Sequence, residues 1–550
     1  MVRKYSKFLV VLAVLAIAAT ACGGDGGEGT QVEGKEGGDA IAALNDPGEL
    51  DPAYCGTTSC AEPVGLLFDS LLSYDFKTAA VTKNGAAESY EVSADATKIT
   101  FKLRDGAKFH NGEDVNAESF VRALTRVAVV QKGVTPSDIS YHLDGIKGFA
   151  DAQAGKATTL PGVHQGANDH ELVIELEGPN AEFITRTGHQ VFSPVPAAAN
   201  TADGKPDPKF TTTAIGNGPY KLEGEYKRDV GLKVVKNADY TGKVKGFLNS
   251  VEWKIYATTE QEFLEFQAGT VDNADVEPES YAAAEQAYGQ AFVQLQGAVL
   301  TYLAVNTEDA PTNNKAYRQA ISMAINREDI ITTIFNNARV PATGIVPPAT
   351  YGSRANVCKY CKFDLTAAKA KLTEAGGAGT AQIIMAYNAD GPHAAWMTAT
   401  AAQLKTNLGL NTKLVPVAKF DDYTGSGEDK FLNSTFFDKP GLARLGWGQD
   451  YPTLDNWLFP LFFSTSGDNH SRYKSTEVDN LIKQAQGNTN ASARLKQQQD
   501  AEDLILEDMP VIPMWYSKSA IVYKADKFEN FPIDIQYLYP VWELVSVKAA

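Results

Sequence analysis

Cysteine is the residue type whose spacing speaks first to chemistry in this 550-residue chain, which has five of them. Cys22 follows Ala19-Thr20-Ala21, an apolar run from Phe8 to Ala19 precedes these, and Arg3, Lys4 and Lys7 make a basic start. That order is a secretory signal over 1–21 with a cysteine where a lipoprotein signal peptidase would cut. The apolar run is too short to stay across ~30 Å of hydrocarbon as a helix. Cys22 is therefore expected as the first mature residue, carrying acyl chains on its sulfur and amine, since several chains hold a protein more firmly than one. A secreted protein with a chance cysteine is the plainer alternative. Cys55 and Cys60 enclose Gly-Thr-Thr-Ser, and Cys358 and Cys361 form a CxxC in a polar loop. Outside the cytoplasm two close pairs read as two small-loop disulfides. A four-sulfur zinc site and a redox-active CxxC stay open as rivals, although no thioredoxin-like βαβ pattern surrounds the CxxC.

Other catalytic patterns are missing. The seven histidines contain no HExxH, and the chain has no GxSxG elbow and no Walker-type phosphate loop. No enzyme activity and no cofactor is expected, with a dispersed hydrolytic triad as the reading that spacing alone does not exclude. ATP hydrolysis would have to come from another subunit.

The elements that must position any site are mixed α and β. Ile99, Phe101 and Leu103 alternate with Thr100, Lys102 and Arg104, which predicts a half-buried strand, and strands are predicted again at Leu172 to Leu176 and Val251 to Ile255. Asn116 predicts an N-cap for a helix through Phe120, Val121 and Leu124. Helices are predicted at Asp364 to Ala375, stopped by Gly376, and at Ser475 to Ala485, where Val478, Leu481, Ile482 and Ala485 share a face. Without strict β-α alternation or an internal repeat, the fold class is α/β of the mixed α+β kind, with several sheets.

Composition bounds the partners. Gly23 to Asp39 is Gly-rich and acidic without hydrophobic periodicity, so 22–40 is expected to be a lipidated, flexible tether holding the body roughly 20 to 25 Å from the anchor. The remaining chain is well past the ~250 to 300 residues at which a single core stops growing, so more than one lobe is expected. The net charge of -17 should repel nucleic acid and anionic lipid, and no basic cluster offsets it. Beyond the signal no apolar stretch is long enough to span a membrane.

At this point the residues resemble a family. Ala87-Glu88-Ser89-Tyr90, then Ile99 to Gly112 (ITFKLRDGAKFHNG) and Ala117-Glu118, are similar to the signature of the oligopeptide/dipeptide-binding class of ABC-transporter solute-binding proteins. Further blocks follow in family order: Leu50-Asp51-Pro52, Gly216-Asn217-Gly218-Pro219-Tyr220, Ala304-Val305-Asn306, Arg318 to Ser322 with Ile325 to Glu328, and Gly446-Trp447-Gly448-Gln449-Asp450-Tyr451-Pro452. Ala96 departs from the pattern, which usually has Gly there, at a turn away from any ligand.

The resemblance implies a two-lobed periplasmic-binding-protein-like fold with an extra subdomain inserted in the first lobe. Carried over, lobe I uses 41–75, 209–298 and 520–550, the insert 76–208, and lobe II 299–519. It implies a monomer that captures a peptide between the lobes and delivers it to ABC permease and ATPase subunits, touching the membrane only through its lipid. By the same resemblance Asp450 pairs with the peptide α-ammonium, Arg444 receives the carboxylate of some peptides, and Trp447 lines a side-chain pocket. The chemistry is coherent, because an enclosed ammonium needs a fixed carboxylate and Arg is a two-pronged donor for a carboxylate. Surface loop, internal salt bridge and core packing are the respective plain alternatives. Members of the fold also bind oligosaccharides, metal chelates or haem, and the loop Asp450 to Leu458, with Tyr451 and Trp457, could offer a sugar-stacking face. A peptide-signal receptor would have the same sequence.

Overall fold

The computed structural model describes residues 29–389, 391–424, 431–432, 436 and 439–548. The expected signal and Cys22 lie outside them. One eleven-stranded sheet runs through the molecule. In spatial order its strands are Asn411–Val417, Gln382–Asn388, Gly441–Gly448, Phe292–Val305, Val511–Tyr523, Asn273–Asp275, Asp39–Asn45, Ser250–Tyr256, Gly231–Lys236 and Tyr220–Leu222, with Arg339–Pro341 beside Val511–Tyr523.

Two long antiparallel strands of this sheet carry the chain between the lobes. Phe292 to Gln296 pairs with Val522 to Lys518, and Leu300 to Ala304 pairs with Tyr516 to Val511, with the register broken between Gln296 and Leu300. On the far side of that break lies the core of the second lobe, around Leu303, Ile321, Met385, Trp396, Trp457 and Trp515. On the near side lies the core of the first, around Leu67, Tyr220, Val251, Trp253 and Trp542. The mixed α/β, two-lobed architecture implied by the resemblance is thus present, with its parts contributed by distant stretches of chain.

A separate four-stranded sheet, Ala87–Val92, Lys98–Leu103, Glu171–Glu175 and Val163–Gln165, builds the insert. Ile99, Phe101 and Leu103 face its core and Lys98 and Lys102 face water, as the alternation predicts. The helix Ala117–Ala128 packs on this sheet and is started by Asn116, whose side chain accepts from Ser119 N in a capping box. Its Arg126 makes a two-pronged, fully buried ion pair with Asp51, which explains structurally the Leu-Asp-Pro block of the first lobe. Asp364 and Ser475 cap Leu365–Glu374 and Thr476–Gln486 as expected. Ala96 takes φ +53°, the left-handed turn that glycine would adopt more cheaply.

The tether differs from its expectation. Residues 29 to 38 are laid along the first lobe: Asp75 accepts from Thr30 N at 2.5 Å, Asn530 Nδ2 donates to Glu33 O at 2.6 Å, and Gly37 N donates to Phe247 O at 2.8 Å. Asp39 already begins a sheet strand. Composition reads glycine as freedom, but here it permits close approach, since a Cβ on Gly38 would stand 2.7 Å from Val547. The expected tether therefore does not extend over residues 29 to 38, and its remainder lies outside the described residues.

Candidate ligand site

The strand Gly441–Gly448 ends beside the register break: Val299 pairs with Gly448, and Gln449 N donates to Ala298 O at 2.9 Å. The chain then turns through Asp450 before the helix Asp455–Phe462 begins. Asn456, at the start of that helix, clamps the turn. Its Oδ1 accepts from Asp450 N and its Nδ2 donates to Asp450 Oδ2, both at 2.9 Å. From the insert, Tyr141 donates its phenol to Asp450 Oδ1, also at 2.9 Å. An ionised carboxylate accepts at about four positions, so these neutral donors leave capacity on both oxygens. Burial pushes the Asp450 carboxyl above the usual carboxylate value, against the Asn456 and Tyr141 donors and the nearby Arg186 charge.

Arg186 is committed elsewhere. Its guanidinium stacks on Tyr451 at 4.8 Å, donates to the Tyr451 hydroxyl at 3.3 Å, and donates to Asp144 O at 3.0 Å. Behind it, His142 stacks on His189 at 4.0 Å and on Tyr141 at 4.5 Å. Burial holds both imidazoles far below the usual histidine range, His189 at about 3. Neutral, packed rings thus support the tyrosine that reaches Asp450.

The other expected residues divide between contact and scaffold. Trp447 is half-buried on the second lobe's core and donates its indole N–H to Asn456 O at 2.9 Å, so Asn456 joins it to Asp450. Arg444 lies three positions earlier, hence on the opposite face of the strand, where it donates to Asn388 Oδ1 at 3.1 Å. Tyr451 is buried beneath Arg186, and Trp457 is fully enclosed in the second lobe's core. The sugar-stacking face expected from these two rings is therefore not available, because both are consumed by packing. Cys55 is joined to Cys60 and Cys358 to Cys361. The Cys55 turn borders the site, with Gln190 Nε2 donating to Cys55 O at 3.0 Å.

Sequence reasoning did not single out Tyr141, Arg186 or Asn456. Asn456 carried a usable signal, as a polar side chain at a helix start just after a carboxylate that needs holding. Tyr141 and Arg186 carried none, because their meeting with 450–451 is a product of how the insert rests on the second lobe. Among the described residues no group of three or more His, Cys, Asp or Glu is arranged to hold a metal, and no helix is long and apolar enough to cross a membrane.

Comparison with known proteins bears on the family and the fold. The family model for bacterial extracellular solute-binding proteins, family 5 (middle region), matches residues 82–469. The oligopeptide-binding protein OppA of Bacillus subtilis is 25% identical over 505 residues, covering 88% of this chain and 89% of the relative. Haem-binding protein A of Haemophilus influenzae is 26% identical over 446 residues, 78% of each chain. Among solved structures, the unliganded open form of the murein tripeptide-binding protein MppA superposes with a TM-score of 0.81 at 24% identity, covering 94% of this chain and 98% of that one. These relatives are binding proteins rather than enzymes, and the family works outside the cytoplasmic membrane. With more than half of its length matched, the chain belongs to family 5 of the bacterial extracellular solute-binding proteins.

Proposed function

We propose that this protein is the lipid-anchored solute-binding subunit of an ABC importer, capturing a peptide between its lobes and handing it to a membrane permease. Lobe I would comprise 41–75, 209–298 and 520–550, the insert 76–208 and lobe II 299–519. Asp450 would hold the peptide ammonium. The observation that carries this reading is a half-buried carboxylate, at the junction of insert and second lobe, whose two hydrogen-bond donors, Tyr141 and Asn456, are both neutral. Such a group gains most from an incoming cation, because a buried charge without a partner is costly. Arg444, on the other face of its strand, would meet a carboxylate only in peptides long enough to reach it, and Trp447 would act by bracing Asn456. Cys22 would carry the lipid.

Calorimetry tests the reading. Removing one partner of a buried ion pair costs ~3 to 5 kcal/mol, or roughly two to four powers of ten in affinity. Asp450→Ala should lose peptide binding on that scale while remaining folded, and N-acetylated peptides should bind the wild type poorly. Equal binding of free and acetylated peptides would sink the assignment. The haem-binding relative supplies the second outcome to look for: binding of haem alone would replace the peptide by that ligand class.

A further inference from the structure

The first lobe contains a cavity of about 450 Å³ whose wall carries Glu62, Asp69, Asp534, Glu543, Tyr537 and Trp542. The N-terminal strap closes one side through Gly29 to Val32 and Glu36. Three of the four inner carboxylates are anchored yet incompletely used. Glu62 Oε1 accepts the indole N–H of Trp253 at 2.8 Å and of Trp542 at 2.6 Å. Asp69 Oδ2 accepts from Tyr240 at 2.7 Å, and Asp534 Oδ1 from Gln536 N and Tyr537 N at 2.8 Å. Among the described residues no side chain donates to Glu62 Oε2, Asp69 Oδ1 or Asp534 Oδ2, and the Glu543 carboxyl is met only by its own backbone N–H. Glu62 and Asp534 are only 7% and 8% exposed. The Tyr537 hydroxyl is likewise buried without a partner. Cations on the cavity wall are confined to Lys243 and Lys245, which are exposed at the rim, and the Arg104 charge bears on Asp69 from outside.

Burial disfavours the charged form of all four carboxylates, and at Glu543 the Asp534 and Asp69 charges add repulsion. Burial pushes Glu62, Asp69 and Glu543 up to about 7 and Asp534 to about 6. The cavity also adjoins the ligand site. Tyr74 lines the cavity and donates to Thr185 O at 2.7 Å, next in the chain to the Arg186 that stacks on Tyr451, while Gln190 lines the cavity and bonds to the Cys55 turn.

We propose that this cavity receives a basic side chain, a guanidinium or ammonium, of the same peptide whose amine is held by Asp450. A guanidinium brings five N–H donors in a planar fork, which suits a wall of carboxylate oxygens without donors. The pocket has the volume usual for small-molecule sites. The proposal rests on the peptide reading above, and it makes this protein a selector of basic peptides.

The test is calorimetry on ligand-free protein with unblocked tetrapeptides that carry arginine, or its neutral isostere citrulline, at one position at a time. At one position the wild type should favour arginine by about tenfold or more, with protons released on binding near pH 7. In Glu543→Gln, whose amide oxygen can still accept the backbone N–H, that preference should fall several-fold. Tight but equal binding of arginine and citrulline peptides overturns the proposal and leaves the peptide reading standing. An arginine preference undiminished in both Glu543→Gln and Glu62→Gln overturns it too, since the selection would then be made elsewhere. If no peptide binds, agmatine serves as probe. Thermal stabilisation of the wild type by agmatine, absent in Glu543→Gln, supports the cavity without the peptide; no stabilisation overturns both.

Discussion

Tyr141 and Asp450 stand 309 residues apart and share a hydrogen bond of 2.9 Å. The phenol belongs to the short turn Ser140–Leu143 of the insert, and the carboxylate to the turn that leaves the strand Gly441–Gly448 of the second lobe. The candidate site is therefore bridged by a neutral donor that an ammonium can outbid.

That bridge gives a pH dependence with a definite sign. Burial raises Asp450 above its ordinary 3.8, while pairing with an ammonium would lower it again. For peptides without basic side chains, affinity should therefore be constant at neutral pH and fall as pH drops through the free-state value, by up to tenfold per unit. Tyr141→Phe removes a donor to the ionised form and should move the fall to higher pH. Calorimetric titrations from pH 7 to 4 check both statements; a pH-independent affinity contradicts them.

The Asp51–Arg126 pair predicts a stability loss unrelated to binding. Both side chains are essentially inaccessible, at 1% and 2%. Asp51→Ala leaves a buried guanidinium unpaired and should cost ~3 to 5 kcal/mol. Urea unfolding should show a lower midpoint, with Asp51→Asn intermediate because one acceptor survives.

Glu543 should shape stability in the opposite pH direction from Asp450's role in binding. Its folded value, about 7, exceeds the ordinary 4.5. The folded state then holds more protons between those values, so this group's contribution declines as pH rises from about 4.5 to 7. Glu543→Gln should unfold at higher temperature than wild type above pH 7, and at the same temperature below about 4.5. Scanning calorimetry of ligand-free protein at several pH values measures the difference.

The proposed anchor at Cys22 can be tested together with the docked strap. Six residues lie between Cys22 and Gly29, and the seven chain steps reach at most ~25 Å when fully extended. Cys22→Ala should release the protein from the membrane fraction, or leave uncleaved precursor, without altering ligand affinity. Mature wild-type protein starting downstream of Cys22 and free of lipid is the contrary result.

Local order was legible in the sequence wherever one physical rule acts alone. Period-two alternation placed Ile99, Phe101 and Leu103 on the inner face of a strand, and Asn116, Asp364 and Ser475 started helices because their side chains accept from orphan backbone N–H groups. The ordered motif blocks carried the family, and with it the two-lobed fold and Asp450. What the sequence could not express is which distant groups meet. The same aromatic chemistry that suited Tyr451 and Trp457 to a stacking face suits a packed core, and only the fold decides that Arg186 covers one and the second lobe encloses the other. Gly34 and Gly38 read as a leash by composition and became a strap by proximity to Phe247 and Val547. Likewise Glu62, Asp69, Asp534 and Glu543 are unremarked carboxylates along the chain. They become one acidic cavity because the fold brings the C-terminal segment back against the helix Thr58–Leu67, and burial, which no linear pattern encodes, then sets their charge.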